Sequence, residues 1–378
     1  MELGLSDTQE MFLDATCKLL DERSGPARLR ELVNDPLGFD RPTWEQGGRL
    51  GWYAMFVPEK YGGGSVSGAA VPDAAMVSEA MGSRLHTGPF LATNVVAFAL
   101  AEAAGADLQE RFLPGLADGS LVGTWAVADR DGDWSASSVG LVAHPDGDGF
   151  RLEGTKSYVH DAASADLFLV NARTPEGPIQ VVVAAHAPGI TITPLDSLDL
   201  GRRLAEVHFS GTPVSRPDVV GEGEAATRAI ERQLQVALVL QCAETNGVTQ
   251  TALDMTVGYA KERVAFGRPI GSYQALKHRL ADHRMWLEGS FATTAYAATS
   301  VQQARPDAAV AARIAKSHVG RWSTHTLHDC IQIHGGIGMT WEYDLHLYFR
   351  RAISNEMLYG APYDHMRQLV DLVEGNGR

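Results

Sequence analysis

The residues most able to do chemistry lie in a basic, glycine-broken corner between two helical runs, over residues 259–282. The helix before the corner is predicted to end in Arg263 and Phe266 ahead of Gly267, and the next helix is predicted to begin with Ser272 as its N-cap. An arginine at one helix end and free backbone N–H groups at the start of the next suit a phosphate. The corner therefore indicates anion binding, although capped and charged helix ends also occur without any ligand.

Glu244 is a second candidate, because it is a carboxylate midway along the largely apolar helix that leads into the corner. Desolvation in that position would raise the pKa of its carboxyl group, which suits a general base that works near neutral pH. The alternative is a structural glutamate that pairs with an arginine or faces solvent beside Gln241.

The chain divides into three segments with different sequence patterns, which are expected to position these residues. Residues 1–118 are predicted to form an N-terminal helical domain, which opens with a capping box at Ser6 and Gln9. Residues 119–224 change to short β-branched and aromatic runs and predict a central antiparallel β domain, a barrel or a sandwich. Residues 225–378 return to the helical period and predict a C-terminal four-helix bundle. The expected fold class is therefore α+β with several domains.

The periodicity also gives limits for the separate elements. The predicted strands are 123–128, 141–144, 150–153, 167–172, 179–185, 190–194 and 205–210, and the predicted C-terminal helices are 225–265, 272–302, 307–335 and 341–372. The last helix is thus expected to run without a break past position 359.

Composition excludes several classes of partner. The chain has 378 residues and a formal charge of −14, with 32 basic and 46 acidic side chains, which argues against nucleic acid or an anionic membrane surface as the main partner. Cys17, Cys242 and Cys330 are scattered without metal-ligand spacing, so we expect no metal site and a reduced, cytoplasmic protein. Neither an export signal nor a run of ~18 apolar residues is present.

Two motifs, one in the corner and one far downstream, resemble those of the flavin-dependent acyl-CoA dehydrogenases. The corner is similar to the family segment R-x-x-F-G-x-x-[IL]-x-x-x-Q, matched at Arg263, Phe266, Gly267, Ile270 and Gln274. The second motif resembles Q-x-x-G-G-x-G…E-Y…R, matched at Gln332, Gly335, Gly336, Gly338, Glu342, Tyr343 and Arg350. The two matches occur in the family's order, and weaker similarity covers nearly all of the chain.

The resemblance implies FAD as the cofactor and α,β-desaturation of an acyl thioester, in which a carboxylate removes the α proton and the β hydride passes to the flavin. It further implies that Arg263, Phe266 and Gln274 bind the FAD of a neighbouring subunit. Gln332 and the glycine pair Gly335 and Gly336 are expected against the same cofactor.

The base that this reaction needs is missing from its usual positions. Alignment on Arg350 and Gly360 places Tyr359, rather than glutamate, at the family's base position. A phenol with a pKa near ~10 is a poor base at neutral pH. A minority of the family carries the base on the helix before the corner, where this chain has Ala237 and Leu238. Glu244 is the remaining candidate for the catalytic base.

The flavin side of the β domain also departs from the family pattern. Within 127–134, Ala128 replaces a threonine whose hydroxyl group would bind the flavin ring. Within 156–161, Tyr158 is positioned to stack on the ring and His160 replaces a second threonine. His160 is expected to donate to the flavin or to titrate near neutral pH; the alternative is that it caps a surface loop that no flavin touches.

Two readings of the whole chain follow from the resemblance. In the first, the chain is an FAD-dependent acyl-CoA dehydrogenase, acting on acyl-CoA or another acyl thioester, with an electron-transfer flavoprotein as acceptor. In the second, it is a non-catalytic subunit that completes the FAD site of a related chain in a mixed tetramer, as expected for an actinobacterial-type branch in steroid or side-chain catabolism. A homotetramer or a heterotetramer is expected accordingly, and an oxidase on the same scaffold is a third reading.

Overall fold

The computed structural model describes residues 4–129, 132–134 and 140–375, with side chains described up to residue 372. A helical region comes first, then a β-sheet, then a second helical region. The predicted capping box opens the first helix, where the Ser6 hydroxyl accepts from the Gln9 backbone and the Gln9 side chain accepts from the Ser6 backbone at 3.0 Å.

Six helices precede the sheet. They are α1 (Asp7–Arg23), α2 (Pro26–Leu32), α3 (Arg41–Leu50), α4 (Ala70–Ser83), α5 (Phe90–Ala103) and α6 (Ala106–Asp118). Helix α5 has an almost wholly apolar sequence and is buried from Phe90 to Leu100, so it forms the centre of this region.

One eight-stranded sheet follows. Its strands are β1 (Gly123–Ala126), β2 (Val142–Asp146), β3 (Gly149–His160), β4 (Leu167–Thr174), β5 (Gly177–Ala184), β6 (Ile190–Leu195), β7 (Leu204–Val214) and β8 (Val219–Glu222). The strand order is β6-β7-β3-β2-β4-β5-β8, and β1 pairs with β4.

The sheet is mixed, so the expectation of a purely antiparallel domain is wrong in this detail. Strands β1 and β2 both run parallel to β4, whereas the other pairs in the sheet are antiparallel. Parallel neighbours need a long crossover, and the β2–β3 hairpin with its flanking segments separates β1 from β4 in the sequence. The pattern of single strands contained no signal for this pairing.

The C-terminal region contains α7 (Gly223–Glu262), α8 (Gln274–Gln302), α9 (Ala308–His334), α10 (Leu345–Met357) and α11 (Pro362–Gly375). The prediction of one helix over 341–372 is wrong, because the chain breaks between α10 and α11. Tyr359 has φ +61° and Gly360 has φ +101°, and Pro362 opens the next helix. Glycine and proline at these places end one helix and begin another.

The corner also differs from its prediction. Helix α7 ends at Glu262, and the chain then forms a small hairpin of β9 (Val264–Ala265) and β10 (Arg268–Pro269). Phe266 and Gly267 both have positive φ, +53° and +81°, as a two-residue hairpin turn requires. The N-cap of α8 is Tyr273, whereas Ser272 lies in a preceding 3-10 turn.

The largest apolar core joins the two helical regions to one face of the sheet. It runs from Leu19 through α4, α5 and the first half of α7 to Trp125 and Tyr359. The break between α10 and α11 is therefore held at the meeting point of all three regions.

Candidate functional site

Tyr359 lies at the centre of a buried cluster of aromatic rings. Its ring is nearly parallel to Trp125 on β1, at 6.3 Å, and to His160 on β3, at 5.6 Å. The indole of Trp134 lies closer, at 4.8 Å. Tyr359 is only 3% exposed, and this burial raises the pKa of its phenol above the ordinary value. A phenol in this setting stays protonated at neutral pH and has no capacity as a general base.

Trp134 contacts both Tyr359, which aligns with the family's base position, and Tyr158, which was expected to stack on the flavin. Its indole contacts Tyr359 and also lies 6.2 Å from the ring of Tyr158. Both separations are ordinary contact distances for aromatic pairs, which lie ~4.5–7 Å apart. No further planar group fits between the indole and either tyrosine.

Tyr158 and His160 end the long strand β3 in different environments. Tyr158 has φ +54° and is 38% exposed, whereas His160 is buried and its Nε2 atom has no hydrogen-bond partner among the described residues. Burial, with the positive charge of Arg202, lowers the pKa of His160 to about 3. The expectation that His160 titrates near neutral pH is wrong because desolvation keeps it uncharged, and the surface-loop alternative is wrong because the ring is enclosed.

Glu244, on α7, is the centre of a buried ion-pair network. Its carboxylate accepts from Arg202, which precedes β7, and from Arg351 on α10 at 2.7 Å. Asn355, also on α10, donates to the same carboxylate at 3.1 Å. Asp199 accepts a hydrogen bond from Nε of the same Arg351 guanidinium. The network ties the loop between β6 and β7 to two helices of the C-terminal region.

The expectation that the pKa of Glu244 is raised is wrong. Burial alone raises the pKa, but the positive charges of Arg202 and Arg351 outweigh it and the hydrogen bond from Asn355 adds to them, so the pKa lies below its ordinary value. Of the two readings of Glu244, the structure shows the arginine-paired one. Its role as the base stays a prediction, and its geometry gives it low basicity.

A small polar cavity of about 20 Å³ lies beside this network. Asp161 lines it with Glu244, Arg202 and Arg351, and burial raises the pKa of Asp161 to about 7 despite the nearby arginines. The cavity is large enough for a water molecule and far too small for an acyl chain.

A much larger cleft of about 660 Å³ opens on the other side of the aromatic cluster. Trp134, Tyr359 and Gly360 form its inner wall, and α7, α9 and α11 form its sides. Among the described residues, the charged ones that line it are Asp133, Glu231, Asp364, Asp371, Arg313 and Arg367. These four carboxylates and two guanidinium groups give the described lining a negative net charge.

The residues of the two sequence motifs come together on the outside of the molecule. Tyr259, at the end of α7, stacks on His334, at the end of α9, with 4.3 Å between ring centroids. This contact places the hairpin next to the glycine pair. Phe266 is 96% exposed at the hairpin tip, and Arg263, Gln274, Gln332, Gly335 and Gly336 are also exposed.

Several residues of the site were not identified from the sequence. Trp134 and Trp125 close the aromatic cluster, and Arg202 and Arg351 fix Glu244. The sequence signal for these arginines was weak. Adjacent arginines occur at 202–203 and 350–351, but nothing in the sequence pairs Arg202 or Arg351 with Glu244. Within the described residues, no group of three or more potential ligands is placed to hold a metal ion. None of the described helices has the length and apolar character to cross a membrane.

Comparison with known proteins agrees with the fold. The acyl-CoA dehydrogenase N-terminal domain matches residues 6–120, and the acyl-CoA dehydrogenase C-terminal domain matches residues 227–370. The acyl-CoA dehydrogenase IpdE2 of Mycobacterium tuberculosis is 33% identical over 373 residues, which cover 96% of each chain. The acyl-CoA dehydrogenase FadE27 of the same organism is 30% identical over 376 residues, 97% of this chain and 94% of that one.

The chain belongs to the acyl-CoA dehydrogenase family. It is an acyl-CoA dehydrogenase or a subunit of one. Solved structures with the same fold include a variant of the steroid acyl-CoA dehydrogenase Tcur3481-Tcur3483, at 28% identity and TM-score 0.89, covering 98% of this chain and 99% of that one. The ChsE4-ChsE5 complex from Mycobacterium tuberculosis matches at 28% identity and TM-score 0.88, covering 99% of both chains.

FAD is the cofactor of this acyl-CoA dehydrogenase, and two groups of its residues fit FAD differently. The exposed group around Arg263 offers a guanidinium, an aromatic ring and amide side chains to a neighbouring molecule, which suits the phosphates and polar edges of a dinucleotide. The inward group does not fit an isoalloxazine, because Trp134 contacts both Tyr158 and Tyr359 and Ala128 offers no hydroxyl. We call this inward group (Ala128, Trp134, Tyr158, His160 and Tyr359) the closed seat.

Proposed function

We propose that the chain is the FAD-site-completing member of a two-chain acyl-CoA dehydrogenase, in which a related chain holds the flavin ring and provides the catalytic base. The contact of Trp134 with both Tyr158 and Tyr359 carries this proposal. An indole in that position takes the space that a flavin ring and a substrate would share. The desaturation is then an activity of the assembly.

The available carboxylates support the same division of work. Glu244 has a lowered pKa and is held by two arginines, so abstraction of an α proton by it would require breaking a buried ion pair. Asp161 has a pKa raised to about 7, but the cavity beside it does not admit an acyl chain. A base on the related chain avoids both obstacles.

The charge of the large cleft is a third support. A coenzyme A thioester carries several phosphate charges, and a cleft with an excess of carboxylates repels them. The related chain is thus the better site for an acyl-CoA.

The exposed residues define what this chain would contribute. We propose that Arg263, Phe266 and Gln274 bind the FAD held by the related chain, and that Gln332, Gly335 and Gly336 lie against the same cofactor. Phe266 is almost fully exposed on a hairpin tip, and an exposed aromatic ring beside an exposed guanidinium is typical of a binding surface. A solved structure of similar fold is the complex of two different chains, ChsE4 and ChsE5.

Co-expression tests the proposal. The chain is purified alone and together with an acyl-CoA dehydrogenase chain that has glutamate at the position aligned with Tyr359. We expect the single chain to be colourless and the pair to be yellow and to desaturate an acyl-CoA. A single chain that is yellow with stoichiometric flavin and active contradicts the proposal.

Substitution of Trp134 sharpens this test. Trp134→Gly removes the indole from the closed seat, so we expect the single chain to gain FAD on incubation with the cofactor. Trp341→Gly is the matched control, because Trp341 is half exposed and outside the seat. Equal flavin uptake by both variants, or by neither, counts against a seat closed by Trp134.

The electron acceptor is part of the same proposal. A flavin reduced by the substrate must be reoxidised, and we propose an electron-transfer flavoprotein for this step. Reduction of that protein by the assembled pair under anaerobic conditions is the expected result. Rapid substrate-linked peroxide formation in air would instead favour an oxidase.

A further inference from the structure

Lys316 is a lysine buried in the core, and among the described residues it has no carboxylate within ion-pair distance. It lies on α9, is 2% exposed, and has burial as the main cause of a pKa lowered to about 8. An ammonium group has three N–H donors. The structure supplies three acceptors for them: the side-chain oxygen of Gln241 at 2.5 Å, the carbonyl of Asn355, and the carbonyl of Leu358 at 2.8 Å.

Two of these acceptors are carbonyls at the end of α10. The last carbonyl groups of a helix have no partner within the helix, and a buried helix end must find one elsewhere. Lys316 satisfies two of them, and the second belongs to Leu358, the residue directly before Tyr359. The lysine therefore anchors the chain just before it enters the closed seat.

His365 binds the same linker through a separate contact. It lies on α11, and its Nε2 atom is 2.9 Å from the carbonyl oxygen of Tyr359. Burial lowers the pKa of His365 to about 3, so the ring is neutral and donates through Nε2–H to this carbonyl. The ring also packs against Gly360, where a Cβ atom would lie 2.8 Å from Nε2. A side chain at position 360 would displace the ring.

Tyr359 needs such restraint because its backbone is in an unfavourable conformation. Its φ of +61° is rare for a bulky residue and persists where the surrounding structure fixes it. The carbonyl before Tyr359 and its own carbonyl are both held by buried side chains. Stacking on His160 and Trp125 then determines where the ring lies.

We infer that Lys316 and His365 are positioning residues that clamp the linker Leu358–Gly360 through two separate contacts and so keep Tyr359 in the closed seat. The clamp itself depends only on these contacts. Its consequence, that the seat stays closed to flavin, rests on the proposed function, and the two are measured separately.

Tyrosine labelling tests the clamp. The purified chain, alone and in its assembly, is treated with tetranitromethane, and nitration of each tyrosine is measured by mass spectrometry. Tyr53, which is fully buried in the N-terminal region, is the internal control for an intact fold. We expect Tyr359 and Tyr53 to be equally protected in the unchanged chain.

In Lys316→Met, which keeps an unbranched side chain one atom shorter and loses all three donors, we expect the nitration rate of Tyr359 to rise at least about tenfold while that of Tyr53 stays low. His365→Phe keeps a ring against Gly360 and loses the donor, so we expect a smaller rise at Tyr359. Leu327→Ala, on the same helix but ~16 Å away, is the matched control for lost core packing and should leave Tyr359 protected.

Three results overturn the clamp. Tyr359 remains as protected as Tyr53 in both variants; or Tyr359 and Tyr53 become reactive together; or Leu327→Ala exposes Tyr359 as strongly as Lys316→Met does. If Lys316→Met does not fold, His365→Phe carries the test with the same criteria. FAD uptake by the single chain is the separate readout: labelling without flavin uptake leaves the clamp standing and contradicts only its proposed consequence, that the clamp keeps flavin out.

Discussion

The two groups of residues that the resemblance assigns to FAD differ in their packing and exposure. The rings of the closed seat pack against one another, with Trp134 in contact with Tyr158 and Tyr359; Tyr359 and His160 are buried, whereas Tyr158 is 38% exposed. The outer face, comprising Arg263, Phe266, Gln274, Gln332, Gly335 and Gly336, keeps the family's residue types and is exposed. Under the proposed function, the chain has retained the contacts that it makes to another molecule and has filled the place where it would hold the cofactor itself.

Under the proposed function, this difference explains how a site can be lost while the scaffold stays stable. An open pocket that no longer binds its ligand leaves apolar surface in contact with water, and packing aromatic rings into it recovers that surface. The outer face cannot be filled from within the chain. Phe266, almost entirely exposed, is stabilised only when another molecule covers it.

The largest expected effect is a loss of stability at Glu244, the centre of the buried ion-pair network. Glu244→Ala leaves Arg202 and Arg351 without their shared carboxylate, and removing one partner of a buried ion pair costs about 3–5 kcal/mol. Urea unfolding measures the loss. Glu224→Ala is the control, because this exposed pair with Arg228 on the same helix contributes less than ~0.5 kcal/mol. Equal small effects would mean that Glu244 is not the centre of a stabilising network.

Glu244→Gln separates the two roles of this residue in the same comparison. If the base belongs to the related chain, the assembled enzyme with Glu244→Gln bleaches its flavin with an acyl-CoA at an almost unchanged rate once the protein is folded. Complete loss of bleaching in a folded, flavin-loaded assembly would restore Glu244 as the base.

The next effect is on the outer face. Arg263→Gln removes a charged donor, and hydrogen bonds to charged groups contribute about 1.5–3 kcal/mol, so we expect the dissociation constant of FAD from the assembly to rise about 10–100-fold. Fluorescence titration with FAD measures it. Arg268→Gln, on the same hairpin, is the control, since Arg268 lies over the ring of Tyr273 at 4.0 Å. A similar loss in both variants would point to general charge and not to a specific contact.

Phe266→Ala should have a smaller effect that depends on assembly. The single chain keeps its unfolding free energy because the ring contacts mainly solvent, whereas the affinity between the chains falls by about 1–2 kcal/mol. Sedimentation of the mixed protein measures the affinity. An unchanged affinity would show that the hairpin tip does not reach the partner.

The smallest expected effect is a change in how the stability of the chain depends on acid pH when Glu244 is replaced. The pKa of Glu244 lies below its ordinary value of 4.5 in the folded chain, so the unfolded chain binds its proton first as the pH falls. Stability from this group is complete above about pH 4.5 and is lost as the pH drops toward the folded pKa, with a slope of at most ~1.4 kcal/mol per pH unit. Unfolding midpoints at several acid pH values should show this slope in the unchanged chain and a reduced slope in Glu244→Gln. The same slope in both contradicts the assignment.

The outer face lies mostly in short segments of sequence, and its contact with FAD stays a prediction. Arg263, Phe266 and Gln274 stand at fixed spacing in one short segment, so a linear motif contains most of what the structure shows there. The three-block organisation follows in the same way from local periodicity, which depends on neighbouring residues. The break before α11 was also signalled, by Gly360 and Pro362, although the helical period on both sides concealed it.

The inner site depends on contacts between distant parts of the chain. The arginines that reverse the pKa of Glu244 lie 42 and 107 residues away, and no local pattern pairs them with it. The parallel pairing of β1 with β4 likewise joins strands that are far apart in the sequence. Trp134 lies in a stretch that departs from the family, where a motif gives no guide to what the new side chain contacts.

The ratio of flavin to protein in the assembled enzyme tests the central claim most directly. Bound FAD is released from the purified two-chain enzyme and counted against each chain by absorbance and quantitative amino-acid analysis. The closed seat predicts about one FAD for every two chains, all of it lost when Arg263 of this chain and its exposed neighbours are replaced. One FAD for every chain, with a flavin ring against Tyr158 of this one, would contradict the account.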